Sequence, residues 1–211
     1  TGGSSVLDAI DDVTPKAGLE ESWDIISGAD ILPGGTGGDD MFTYDNSSLM
    51  DGLTLSASYT PSDGTTQVES SSDYGIKFTG IEGLTIGAAA GEDNTAAASL
   101  DLTNMYVTYT MDAFSVGYQT SESDSETADA DLDYTAIGLS YAVSDEMSIS
   151  LNSSEIQYEN SSLSDQEATG ISVSYVMGSM TVSANHNTVD NIAGTSTDDR
   201  SGYSMTLGFA F

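Results

Sequence analysis

Large apolar residues alternate with small or polar residues along most of this 211-residue chain. At the carboxyl end, Tyr203, Met205, Leu207, Phe209 and Phe211 are separated by Ser, Thr, Gly and Ala. Period two is the side-chain repeat of a β-strand. Each such stretch therefore predicts a strand with one apolar face and one face of small, polar side chains.

The alternation recurs often enough to predict an all-β, antiparallel fold. Eleven strands are predicted, at residues 41–46, 52–60, 73–79, 83–90, 100–111, 114–121, 131–143, 147–158, 168–177, 180–188 and 200–211. The links between them alternate between short turns, such as 111–113 and 178–179, and long polar loops, such as 121–131 and 189–200. Short turns on one side and long loops on the other are typical of bacterial outer-membrane β-barrels.

The composition of the small face indicates which solvent the apolar face meets. This face carries Ser, Gly, Thr and Asn, whereas the outer face of a soluble β-sandwich usually carries Lys, Glu and Arg. In a transmembrane β-barrel, the apolar face meets lipid and the polar face lines a watery interior. We therefore predict a transmembrane β-barrel in the bacterial outer membrane. Two alternatives stay open: a soluble acidic β-sandwich adhesin or surface-layer protein, and a closed outer-membrane barrel that acts as a receptor.

Composition excludes several function classes. The chain has 34 acidic and 3 basic residues and a net charge of −31, so nucleic acid is excluded as a partner because phosphate binding needs Lys and Arg. The absence of Cys excludes disulfides and thiolate metal sites. The chain contains no run of 18 apolar residues, so the sequence predicts no transmembrane helix.

Candidate chemistry in the sequence is sparse. The single His, His186, shares the strand phase of Val182 and Ala184, so we expect no nucleophilic triad, no enzyme activity and no cofactor. Three carboxylates at period two, on Asp129, Asp131 and Asp133, would project to one face of a strand, where oxygen ligands suit Ca²⁺. The alternative is a solvated acidic loop.

Residues 1–40 depart from the alternation and form a separate region, followed by the barrel strands in 41–211. This region is too long for a simple turn and therefore predicts a functional loop or a linker. It carries nine carboxylates, on Asp8, Asp11, Asp12, Glu20, Glu21, Asp24, Asp30, Asp39 and Asp40.

The loop order and the ending resemble a known family. The segment "DDVTPKAGLEESW" is similar to the third extracellular loop of Gram-negative general porins, "MFTYDN" and "GLTLSASYT" resemble the next two strands, and Phe211 resembles the family's assembly signal. The whole chain resembles the carboxy-terminal two-thirds of a trimeric, 16-stranded porin. Single-chain bacterial barrels have an even number of strands. We therefore expect five further strands before this piece, in a longer polypeptide or as a separate chain.

The resemblance implies a function and a set of site residues. It implies a homotrimer that lets small hydrophilic solutes and cations diffuse through a pore, with the acidic loop folded inside. Crowded carboxylates near low-dielectric walls favour cations. The implied constriction residues are Asp8, Asp11, Asp12, Lys16, Glu20, Glu21 and Asp24 on the loop, with Lys77 and Arg200 on the wall. The implied assembly signal comprises Tyr203, Phe209 and Phe211.

Overall fold

One antiparallel sheet dominates the fold. The computed structural model describes residues 3–18, 25–29, 34, 37–38, 40–65, 69–94 and 99–210. The strands are β1 (Gly3–Ser4), β2 (Gly37–Gly38), β3 (Phe42–Asn46), β4 (Leu53–Thr60), β5 (Ser71–Ile81), β6 (Leu84–Asn94), β7 (Ser99–Met111), β8 (Phe114–Ser125), β9 (Leu132–Ala142), β10 (Met147–Tyr158), β11 (Gln166–Met177), β12 (Met180–Asp190) and β13 (Arg200–Phe209). Two 3₁₀ helices span Asp8–Ile10 and Ile192–Gly194.

The eleven predicted strands are confirmed as β3 to β13, each paired with its neighbour in sequence. Several are longer than predicted: β5 begins at Ser71, β6 ends at Asn94 and β8 ends at Ser125. These extensions carry Ser, Glu, Asp and Asn, so the apolar alternation stops before the backbone pairing does. The short pair β1 and β2, joined at Gly3↔Gly38, was not predicted.

Short and long links lie at opposite ends of the sheet. Short links are possible because residues such as Asp112 (φ 52°) and Gly178 (φ 60°) adopt the left-handed conformation that tight turns need. The last strand, β13, follows a long link and ends beside a short one, where the Ala210 amide donates to the Ser179 carbonyl at 2.8 Å. Among the described residues, β3 and β13 each pair with a single strand and are the edges of the sheet.

One face of the sheet, here called the apolar face, is covered by exposed large hydrophobic side chains. Examples are Ile76, Met105, Ile137, Leu151 and Ile171, each about half exposed or more. An exposed apolar area of this extent marks an interaction surface rather than a water-facing one. Within the described ranges, no helix reaches the length and apolarity needed to span a bilayer.

The apolar face ends before the strands do. Towards the long loops, the same side of six consecutive strands, β7 to β12, first carries a hydroxyl row of Thr103, Thr120, Thr135, Ser153, Thr169 and Thr188. Beyond it lies a carboxylate row of Asp101, Glu122, Asp133, Glu155, Glu167 and Asp190. The hydroxyl groups of Thr169 and Thr188 hydrogen-bond each other at 2.7 Å. The strands therefore extend past the apolar area with polar and charged side chains.

The opposite face, here called the polar face, carries small and polar side chains and is largely covered by chain. Its buried residues include Ser58, Asn104, Gln119, Ser150 and Asn187. The covering chain is the N-terminal segment, defined here as the described residues 3–18 and 25–29. The alternation of apolar and polar residues is confirmed as two different faces of one sheet, but the polar face is covered partly by protein and not by water alone.

Candidate functional site

The N-terminal segment crosses the polar face strand by strand. Near its start, the Val6 amide donates to the Ser58 hydroxyl of β4 at 3.0 Å. Further on, the Ala17 amide donates to the Ser150 hydroxyl of β10 at 2.8 Å. Ser27 lies beside β13, where its carbonyl accepts a hydrogen bond from Arg200 at 2.6 Å. The segment therefore runs across the sheet from β4 to β13.

Gln119 on β8 holds the middle of the segment with three hydrogen bonds. Its side-chain amide donates to the carbonyls of Ile10 at 3.1 Å and Asp11 at 2.6 Å, and its carbonyl accepts from the Val13 amide at 3.1 Å. Asn104 on β7 also donates to the Ile10 carbonyl, at 2.9 Å. Gln119 has no exposed surface. Replacing a buried partner of this kind leaves backbone groups unsatisfied, which costs about 1–3 kcal/mol for each group.

Glycines on the polar face allow the segment to approach the strands closely. A Cβ at Gly117 would lie 2.5 Å from Cδ of Pro15, and one at Gly138 would lie 2.8 Å from Cβ of Thr14. Contacts this short are excluded, so the glycines create the space in which the segment lies. The small residues of this face thus serve close packing, in addition to the lining role that the sequence suggested.

Apolar side chains anchor the segment at the long-loop end of the sheet. Leu7 packs in a buried cluster with Ala89 and Leu102, and Ile26 packs in another that includes Val189 and Ile192. Leu102 and Val189 face the polar side, whereas Met105 on the strand of Leu102 and Val182 on the strand of Val189 face the apolar side. Burial of such side chains stabilises the docked segment by about 1.5–3 kcal/mol each as an upper estimate.

The acidic residues at the start of the segment lie close to one another. Asp8 begins the first 3₁₀ helix, Asp11 follows that helix, and Lys16 forms an ion pair with Asp12. Burial raises the pKa of Asp11 to about 6, with further contributions from the nearby carboxylates of Asp8 and Asp12. Three carboxylates against one ammonium give this part of the polar face a negative potential.

The two basic residues predicted on the wall, Lys77 and Arg200, lie near opposite ends of the N-terminal segment. Arg200 binds both carboxylate oxygens of Asp198, at 3.0 and 2.8 Å, in addition to the Ser27 carbonyl. It therefore holds the end of the segment and does not face the acidic group. Lys77, on β5, is exposed and lines a cavity beside the first residues of the segment. Glu20, Glu21 and Asp24 lie outside the described residues.

The candidate calcium ligands do not share a strand face. Strand β9 begins at Leu132, so only Asp133 lies on it. Asp129 adopts a left-handed conformation (φ 60°), and the Asp131 carboxylate accepts a hydrogen bond from the Ser125 amide at 2.8 Å. The expected period-two geometry is therefore wrong, because the loop turns before the strand starts. In the described part of the chain, no three His, Cys, Asp or Glu side chains are grouped to hold a metal ion.

The predicted assembly residues lie on the last strand where they are described. Tyr203 is 85% exposed and Phe209 is 55% exposed, both on the apolar face. Phe211 lies outside the described residues. The terminal strand thus presents its aromatic side chains to the same surroundings as the rest of the apolar face.

Known proteins share this family and this fold. The family described as Gram-negative porin matches residues 5–211. Solved structures with the same fold include an anion-selective porin from Comamonas acidovorans, with a TM-score of 0.70 and 10% identity over 81% of this chain. A loop-deletion mutant of OmpT from Vibrio cholerae has a TM-score of 0.69 and 15% identity over 99%. In-vitro folded OmpT has a TM-score of 0.66 and 14% identity over 100%. A search of curated protein sequences finds no match.

The lengths differ between this chain and these structures. This chain spans 59% of the Comamonas porin and 74% of OmpT. At such low identities the likeness concerns the fold alone, whereas the family match spans residues 5–211. That match identifies the apolar face as the lipid-facing surface and the polar face as the interior wall of a β-barrel. It also excludes the soluble adhesin. The chain belongs to the Gram-negative porin family of the bacterial outer membrane.

Proposed function

We propose that the protein forms a passive pore for small hydrophilic solutes and ions and that the pore prefers cations. The observation that carries this proposal is the N-terminal segment, which brings Asp8, Asp11 and Asp12 onto the interior wall with Lys16 as their one neighbouring cation. Barrels of 16 to 18 strands leave an aqueous channel, so passage needs no chemical step.

The cation preference follows from charge and distance. Charges spread around a wide, open lumen are screened by water and salt within about 8 Å at physiological ionic strength. A segment inside the lumen places its carboxylates closer than this to passing ions, which raises the local cation concentration. The Comamonas porin is named as anion-selective. This chain has only 3 basic residues in total, and two of them, Lys16 and Arg200, are already ion-paired.

We also propose that the pore is a homotrimer in the lipid bilayer. One of the structures with this fold is described as the trimer form of OmpT, with a TM-score of 0.61 and 14% identity. Each protomer would then contribute its own pore.

Neutralising the acidic group tests the proposed selectivity. The triple variant Asp8→Asn, Asp11→Asn, Asp12→Asn should move the zero-current potential in a KCl gradient towards zero, because the carboxylates that enrich cations are gone. The control neutralises Asp101, Glu122 and Asp133 of the carboxylate row, which lie outside the barrel interior, and its potential should stay near that of the parent. A parent channel that conducts, with a potential that moves in neither variant, would contradict the selectivity assignment. A correctly inserted protein with no conductance would favour a closed, receptor-type barrel.

The raised pKa of Asp11 predicts a pH-dependent selectivity. Because its pKa is raised from 3.8 to about 6, this carboxyl group should be largely neutral at pH 5 and ionised at pH 7. A raised pKa means that the protonated Asp11 carboxyl group favours the folded state. Its stabilising contribution is therefore complete below the ordinary pKa of 3.8 and is lost as the pH rises through about 6.

The measurement is the zero-current potential between pH 5 and pH 7.5. Cation preference should increase with pH with a midpoint near 6, and Asp11→Asn should remove that step. Asp45→Asn, at an exposed aspartate of the same face, is the control and should keep the step. Persistence of the step in Asp11→Asn would assign it to another group.

A further inference from the structure

A cavity of about 330 Å³ lies between the first residues of the N-terminal segment and strands β3 to β7 on the polar face. It is open on one side. Its polar lining includes Ser5, Thr43, Asp45, Ser56, Lys77 and Tyr106. Apolar side chains of the segment complete it. The cavity therefore combines one ammonium, one carboxylate, several hydroxyls and a few apolar contacts.

Lys77 is the cation of this cavity and has no charged residue directly opposite it on the neighbouring strands. In the sheet register it lies between Thr54 of β4 and Gly87 of β6, neither of which carries charge. Among the described residues it forms no ion pair, unlike Lys16 and Arg200. An exposed ammonium group that forms no ion pair with the described residues can bind a carboxylate that arrives from solution.

Asp45 supplies the opposite charge on the same wall. It lies on β3 opposite Ser56, whose hydroxyl donates to one carboxylate oxygen, Oδ1. This bond leaves Oδ2 for another donor, such as the ammonium of a solute. Asp45 is two strands and two residues from Lys77 in the register, so their Cα atoms are roughly 12 Å apart from standard strand spacing.

The segment and the wall together set the size and the apolar character of the cavity. Ser5 and Val6 line it from one side, and the ring of Tyr106 lies directly over Gly87, beside Lys77. The side chains of Lys77 and Asp45 both line the cavity, and their Cα atoms lie roughly 12 Å apart from standard strand spacing. That separation suits a solute with a positive and a negative group at opposite ends.

We propose that this cavity is a shallow binding site for small zwitterions of amino-acid or dipeptide size, with the carboxylate at Lys77 and the ammonium at Asp45. The proposal rests on the proposed pore function and adds a solute class to it. Binding is weak because the cavity is open and both charged groups are hydrated. Weak binding is required of any site on a conducting pathway, since the solute must also leave.

The test uses the full-length protein in planar bilayers, with glycylglycine as the probe. Brief interruptions of the single-channel KCl current should appear with glycylglycine and become several-fold rarer in Lys77→Gln and in Asp45→Asn. Lys77→Arg, which keeps the charge, should retain them. Erythritol, a neutral solute, should cause no interruptions that depend on either residue.

Three results would overturn the proposal. Interruptions that are equally frequent in the parent, Lys77→Gln and Asp45→Asn would show that the zwitterion does not use this cavity. Sensitivity to Lys77→Gln alone, with acetate interrupting the current as often as glycylglycine does, would make the cavity an anion site. No response to glycylglycine in a conducting parent channel would remove the site and leave the pore intact. Failure of the pore function itself is distinct, because the parent would then carry no current.

Discussion

Leu139→Arg is expected to lower the stability of the inserted protein by roughly 2–4 kcal/mol, while Ser140→Arg has a much smaller effect. Leu139 is 42% exposed on the apolar face and lies between Val116 and Leu151 of the neighbouring strands. An arginine there would place a charge in lipid. Ser140 is partly exposed between Ser115 and Ser150 on the polar face, away from lipid.

The measurement is reversible folding into lipid vesicles, followed by urea titration of both variants and the parent. The two substitutions differ by one position on the same strand and add the same side chain, so each controls for the other. Equal losses of stability in both variants would contradict the assignment of the two faces to lipid and to the barrel interior.

Gly117→Leu is expected to displace the N-terminal segment and to increase single-channel conductance. A Cβ at this position would already lie 2.5 Å from Cδ of Pro15 and 3.2 Å from Cγ2 of Thr108. The proline ring cannot give way without moving the segment, and overpacking of this kind typically costs 1–3 kcal/mol. Gln119, two residues further along β8, binds the backbone around Asp11, so the acidic group should move with it.

The conductance and the zero-current potential of Gly117→Leu are compared with those of Gly208→Leu. Gly208 lies on β13, and the nearest heavy atom to a Cβ placed there is the Thr181 carbonyl oxygen, at 3.9 Å. The Gly208 variant should therefore behave like the parent, whereas the Gly117 variant should conduct more current and prefer cations less. A Gly117→Leu channel with parental conductance and potential would show that this contact does not hold the segment in the pore.

The strands were predictable because they lie between two different solvents. Where a strand lies in lipid, each outward position must be apolar and most interior positions are small or polar, so the period-two pattern is clear in the part of each strand nearer the short turns. The strand ends were less predictable. Beyond the hydroxyl row the strands leave the apolar environment. Their outward side chains are polar there, so the sequence does not distinguish a paired strand from a polar loop.

The contacts of the N-terminal segment could not be predicted, because they depend on residues far apart in sequence. Gln119 appears in the sequence as one polar residue among many on the interior face, yet it binds three backbone groups more than 100 residues away. One signal was available: apolar residues change face near the long loops, as at Leu102, Tyr134, Ile156 and Val189. That change of phase marks where the interior face is covered by protein instead of water.

The central claim is that the N-terminal segment lies against the interior wall of the barrel. The most direct test is a disulfide between Val6→Cys and Gly75→Cys in the otherwise cysteine-free chain. A Cβ at Gly75 would lie 2.5 Å from Cγ1 of Val6, so the two Cβ atoms are within the roughly 3.5–4.5 Å that a disulfide needs. The control pairs Val6→Cys with Ile76→Cys, on the lipid-facing side. After oxidation in intact outer membranes, mass spectrometry should detect a cross-linked peptide for the first pair alone. A folded protein in which neither pair links, or in which both link equally, would contradict the central claim.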